Sequence, residues 1–151
     1  MQSSLKSSKP YGSHRSGAAM VEMAVVMPVF FLVIMGIIEF GRAFMVGQLL
    51  NDAAREAARS AIITGSTNAA VMAEAQSFVN SVTSCPTADV GIAITITPAA
   101  GNPDPANNLA SANKRDLCHV QVSVPFSRVS FMPGRFLAGR NLSGQAAMRH
   151  E

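Results

Sequence analysis

The sequence predicts an α+β protein: a long N-terminal transmembrane helix continues into a small extracytoplasmic domain with a second helix and a three-stranded antiparallel sheet. Three observations carry this expectation. Ala18 to Ile38 is an apolar run with a single charge, Glu22. Ala, Leu and Arg then continue a helical composition to Thr64, and further on two segments alternate strictly between apolar and polar residues, the pattern of half-buried strands.

The apolar run spans 21 residues, which at about 1.5 Å per residue matches the ~30 Å hydrocarbon core of a bilayer. Apolar side chains occupy every face from Met23 to Met35, and a 151-residue chain has little interior in which to surround such a helix. Pro28 is tolerated in a span and predicts a kink there. Lys6, Lys9 and Arg15 precede the run while Arg42 alone follows it closely, so the N-terminus is expected on the cytoplasmic side. Met1 to Gly17 is polar, basic and rich in Ser, Gly and Pro, too poor in apolar residues to pack. The organisation expected is therefore a segment 1–17, a transmembrane and extended helix 18–64 capped by Gly65, and an outer α+β domain 65–151.

Within the extended helix, Ala53, Ala57 and Ala61 recur every four residues, as do Ala54 and Ala58, giving a flat small-residue face that another helix can approach closely. Asp52 with Arg55 and Glu56 with Arg59 are spaced to meet on the solvated surface. A second helix is expected from Asn68 to Asn80, with Val71, Ala75, Phe78, Val79 and Val82 on its apolar face. Val90, Ile92, Ile94 and Ile96 then alternate with small polar residues, as do Cys118, Val120, Val122, Val124 and Phe126. Leu142, Ala146 and Met148 make a weaker third alternation, and Pro125 marks the end of a strand or an edge. Pro98 to Asn113 has no pattern and reads as an exposed loop.

Hydrophobic residues make up 48% of the chain and charged residues 14%, against about 25% charged in an ordinary globular domain, and the mean hydropathy is +0.24. The pI near 9.3 comes from the first 17 residues, because the remainder holds 9 basic and 9 acidic residues. The charge balance therefore gives no sign of a phosphate-binding surface, and nucleic acid is not an expected partner. G-x-S-x-G, G-x-G-x-x-G, the P-loop and H-E-x-x-H are all missing, so neither catalytic residues nor a cofactor is expected. Three scattered histidines, with His119 facing away from the apolar side of its strand, and two distant cysteines offer no metal-ligand spacing. Cys85 and Cys118 both fall in the part expected outside the cytoplasm, where oxidation favours a disulfide over two separate buried thiols. Glu22 is the most informative side chain. A carboxylate costs ~2.5–3.5 kcal/mol at mid-membrane, so it needs a partner unless it snorkels to water.

Arg15-Ser16-Gly17 followed by Ala18-Ala19-Met20-Val21-Glu22 and an apolar helix resembles a type IV prepilin leader. The resemblance implies cleavage between Gly17 and Ala18 by a prepilin peptidase, which makes Glu22 the fifth mature residue. It also implies that Glu22 meets the new N-terminal ammonium of a neighbouring subunit. More narrowly, VEMAVVMPVFFLVIMGIIEFGRAF with NDAAREAARSAI resembles the TadE-like minor pilins, or pseudopilins, of the tight adherence (Flp-type) pilus system. Met23 stands where an aromatic residue often follows the glutamate. The chain is longer than a major Flp-type pilin, which implies an accessory subunit of a bacterial inner membrane. Its implied partners are prepilin peptidase, other pilin or pseudopilin subunits, the inner-membrane assembly platform and membrane lipid. Residues 65–151 carry no motif tied to that family. Two other readings stay open: a permanently anchored envelope protein whose outer domain binds a ligand or partner, and a secreted protein cut near Gly41-Arg42-Ala43.

Overall fold

A computed structural model of the chain describes residues 13–130, 137 and 139–150; Lys6, Lys9 and the rest of 1–12 lie outside the described residues. Helix α1 runs Ser13–Ala61 and continues through Pro28, α2 runs Asn68–Thr83, and a single turn α3 runs Phe126–Val129. Strands β1 (Gly91–Thr97), β2 (Leu117–Pro125) and β3 (Asn141–Arg149) form one antiparallel sheet in the order β1-β2-β3. The fold is α+β, as the alternation and the apolar run predict. The chain divides between Ile37 and Ile38 into two compact units, described separately below.

In the second unit the core is built from one face each of α1, α2 and the sheet. Along α1, Val46, Leu50, Ala53, Ala54, Ala57, Ala58 and Ala61 are buried, a stripe with the period of a helix. They join Val71, Ala75 and Val79 of α2 and Val120, Val122 and Val124 of β2 in one apolar cluster. The alanines are small because the sheet comes very close. A Cβ on Gly144 of β3 would overlap the backbone of Leu50 and Asn51. The small-residue face is thus consumed inside the chain's own core, whereas the sequence reading set it against another helix.

Helix α1 starts at Ser13 and ends at Ala61, so it begins earlier and stops sooner than the 18–64 expected. Past Ala61 the chain turns, Ser66 Oγ donates to the Ser60 carbonyl at 2.6 Å, and Gly65 takes a φ of 88°. Thr67 then caps α2 by accepting from the Ala70 N–H, and Ser84 closes it in the left-handed conformation. On α2 the buried line is Val71, Ala75, Val79 and Thr83, while Phe78 and Val82 are exposed. Each of those two is about 100° around the helix from its buried neighbour, a rotation that the apolar pattern alone does not resolve.

β2 is the central strand and Pro125 ends it, so the proline removes no ladder bond from an interior position. Both edges of the sheet are blunted by asparagine side chains. Asn107 Oδ1 accepts from the Ile96 N–H of β1 at 2.8 Å, and Asn51 Oδ1 accepts from the Gln145 N–H of β3 at 3.2 Å.

The segment Pro98 to Asn113 is far more organised than its composition suggests. Asp116 is fully buried and accepts from the Ala99 N–H (2.8 Å), the Asn113 N–H (2.8 Å) and Asn102 Nδ2 (2.7 Å). At the other end Asn68 Nδ2 donates to the Asn107 carbonyl and Asn68 Oδ1 accepts from the Leu109 N–H, tying the loop to the start of α2. These donors hold the Asp116 carboxyl below the usual carboxylate range, the Ala99 N–H contributing most and Asn102 next.

Two predictions follow from the geometry. Gly144→Ala forces α1 and β3 apart and is expected to lower unfolding free energy by about 1–3 kcal/mol or more, while Gly47→Ala, with open space around it, stabilises by up to ~1 kcal/mol. Urea unfolding of the detergent-solubilised protein separates them. Asp116 contributes stability above about pH 4 that is lost as pH falls through its depressed folded-state pKa. Asp116→Asn places an amide donor among N–H donors, so the variant is expected to unfold more easily at neutral pH and to show a flatter acid limb.

Candidate assembly site

The first unit is the apolar half of α1. A window within Gly17–Ala61 passes the length and composition required to cross a membrane, with none of that window buried. Met20, Val21, Val25, Val29, Phe30 and Leu32 are all more than half exposed, spread over every side of the helix. Apolar surface on this scale, unpaired in water, needs lipid or other helices around it.

Gly17 and Ala18 lie inside α1, about one turn from its start at Ser13, and no atom lies within 4 Å of a Cβ built on Gly17. Glu22 is one turn further on and exposed. Of the two expected helix-surface ion pairs, Asp52–Arg55 forms at 3.5 Å between exposed side chains; none is found between Glu56 and Arg59.

In the second unit, Glu39-Phe40-Gly41-Arg42 resolves into two inward groups. Arg42 Nε donates to the Val129 carbonyl at 2.9 Å, placing a cation on the C-terminal end of α3. Glu39 is 6% exposed and its Oε1 has no hydrogen-bond partner among the described residues. The sequence reading treated Glu22 as the carboxylate in need of a partner; the structure adds Glu39 as a second. Its burial was legible in the spacing, since Glu39, Val46, Leu50, Ala53 and Ala57 fall on one helical stripe. Ala53, Ala57 and Ala61 are 0–2% exposed and lie in the core.

Cys85 and Cys118 are two free, fully buried thiols, so the expected bridge is not formed in this structure. Each has its own surroundings: Cys85 follows the left-handed Ser84 and its Sγ lies 3.7 Å from the Pro86 carbonyl, while Cys118 faces the core between Ile96 and Met148 in register. Burial pushes both thiols up. The Asp89 carboxylate adds to the effect at Cys85 against a smaller opposing pull from Arg128, and Asp116 adds to it at Cys118. Arg128 itself pairs with Asp89 at 3.0 Å. Among the described residues no three His, Cys, Asp or Glu side chains gather as metal ligands. His119 sits between Thr95 and Ala147 on the outer face of the sheet, opposite the core.

Among the described residues one helix is long and apolar enough to cross a bilayer, and it is joined in the same chain to an α+β domain, the arrangement of a single-pass membrane protein. Residues 17–59 match the family model described as TadE-like protein, so this part of α1 is similar to that family. The match covers α1 from Gly17 to Arg59 and none of α2 or the sheet. No curated protein and no solved structure matches the chain.

The state of the thiols gives a direct expectation. Thiol-specific labelling under non-reducing conditions should be slow in the native protein and reach two groups per chain in denaturant. Native labelling should quicken only as pH climbs above the ordinary thiol range near 8.5.

Proposed function

We propose that this protein is a TadE-like minor pilin, or pseudopilin, in the biogenesis of a tight adherence (Flp-type) pilus. It is a non-enzymatic subunit held in the bacterial inner membrane, N-terminus in the cytoplasm and α+β domain outside. The observation that carries the reading is a coincidence of limits. The TadE-like match begins at Gly17, the residue after which a prepilin peptidase would cut, and its first half is the exposed apolar helix that carries Glu22. Cleavage creates an ammonium at Ala18. In a medium where a lone carboxylate costs several kcal/mol, that ammonium on a neighbouring subunit is the natural partner for Glu22.

Packing between subunits is assigned to residues 18–37. The alanine stripe from Ala53 to Ala61 is already buried and cannot serve two partners. The apolar segment is Val-, Ile-, Phe- and Met-rich, with Ala18, Ala19, Ala24 and Gly36 as the small residues at which helices can approach. Prepilin peptidase, other pilin or pseudopilin subunits and the inner-membrane assembly platform are the partners this assigns.

The test has two parts. The mass of the membrane-extracted protein should correspond to a start at Ala18 in cells with a prepilin peptidase and to an intact leader without it; an intact leader in both makes the chain a permanent anchor. Glu22→Ala is expected to insert normally in the membrane and to abolish or strongly reduce piliation, whereas wild-type pilus numbers in that variant would remove the role given to Glu22.

A further inference from the structure

A pocket of about 450 Å³ opens at one end of the sheet, where the row Thr97, Leu117 and Arg149 pairs across all three strands and the loop around Ala99 and Asn102 forms the rim. Lys114, Arg115 and Arg149 line it, and among the described residues no carboxylate does. Residues 65–151 contain six Lys and Arg against five Asp and Glu, so half of the domain's cations are gathered at this one place. Arg128, by contrast, is paired with Asp89, and none of the three pocket cations has an ion pair among the described residues. The overall charge balance hides the cluster because Arg149 lies 35 positions after Lys114 and 34 after Arg115 and meets them only through the β2–β3 pairing.

The pocket is built from beneath. Asp116, buried and next to Arg115 in the chain, uses its oxygens on Ala99, Asn102 and Asn113, which ties down the loop that forms the wall. Asn102 Nδ2 also donates to the Lys114 carbonyl at 2.9 Å. Arg115 holds a φ of 76°, a left-handed conformation in which glycine is the ordinary occupant. Its N–H donates to the His150 carbonyl and the His150 N–H donates to the Asp116 carbonyl, both at 2.8 Å. Two residues on one strand therefore oppose one on the other, the arrangement of a bulge, and bulges re-aim side chains. A position that suits glycine has been given an arginine that lines the pocket.

We infer that this pocket binds a phosphate group. Three monovalent cations, Lys114, Arg115 and Arg149, match a tetrahedral oxyanion carrying more than one charge better than a single carboxylate, and two guanidinium forks suit its oxygens. At about 450 Å³ the pocket has room beyond a single phosphate group, so the phosphate can arrive as an ester on a larger group. That ester is either a soluble phosphorylated molecule or a phospholipid headgroup. The inference does not depend on how α1 is processed or assembled.

The test uses the full chain in dodecyl maltoside micelles, titrated with inorganic phosphate by calorimetry at constant ionic strength. Wild-type protein is expected to bind, and Arg115→Gly and Arg149→Ala to bind about tenfold more weakly or worse. Arg55→Ala removes an exposed cation on α1 and should leave binding unchanged. Arg115→Gly also answers the question of folding, since glycine relieves the left-handed strain and should raise the melting temperature of the phosphate-free protein while binding falls. Absence of phosphate binding by the wild type, or equal affinity in wild type and both pocket variants, overturns the inference. Phosphatidylglycerol added to the micelles separates the sources: loss of the phosphate heat identifies a headgroup as ligand, and undiminished phosphate binding identifies a soluble ester.

Discussion

The backbone of α1 at Leu50 and Asn51 lies against the backbone of β3 at Gly144 with no side chain between them. The packing of the second unit follows from that contact. A helix brought so close to a strand can carry only small residues further along the same face, and Ala53, Ala54, Ala57, Ala58 and Ala61 provide them. The larger apolar volume is supplied from the other sides of the core, by the valines of α2 and β2 and by Phe126. The approach also puts Asn51 within reach of the Gln145 N–H, so one side chain both ends the sheet and fixes the helix on it. A change at Gly144 therefore acts on the sheet edge and the alanine face together.

Polar groups do a comparable job at the opposite end of the sheet. Asn107 occupies the outer edge of β1, Asn68 joins the loop to α2, and Asp116 gathers three donors that the loop would otherwise leave unsatisfied. Each is an amide or carboxylate bonding to backbone, the type of interaction that specifies one loop conformation because a near miss leaves a buried group unpaired. The same network lets a cluster of positive charge stand at the surface with the Asp116 carboxylate turned inward.

How much of this was legible in the sequence depends on the range of the interaction. The strands were readable because alternation is a property of neighbours, and the register of Ile92, Ile94 and Ile96 with Val122, Val120 and Cys118 keeps all of them on the core face. The apolar helix was readable for the same reason. The alanine spacing was seen correctly as a close-approach surface, but the sequence does not say which surface approaches, and a glycine 94 positions after Leu50 decided it. Asn107 fell in the stretch read as an exposed loop and Asp116 carried no signal, since their partners are distant or are backbone groups with no sequence signature. The expected Cys85–Cys118 bridge rested on compartment alone, and compartment fixes whether oxidation is allowed, not whether two sulfurs meet. Glu39 is placed on the core side by its spacing from Val46 and Leu50, whereas the contact of Arg42 with the Val129 carbonyl, 87 positions away, had no such signal.

The loop between β1 and β2 is fastened at Asn102 on one side and at Asn107 on the other, with Pro103 and Asp104 exposed between them. Because those two fastenings are independent of what the short stretch between them contains, extra residues placed after Pro103 begin and end at fixed points. They cost mainly the entropy of a longer closed loop, which grows only with the logarithm of its length. That makes the Pro103–Asp104 junction the place to carry an epitope or a fluorophore-binding tag, with helix and sheet left as they are.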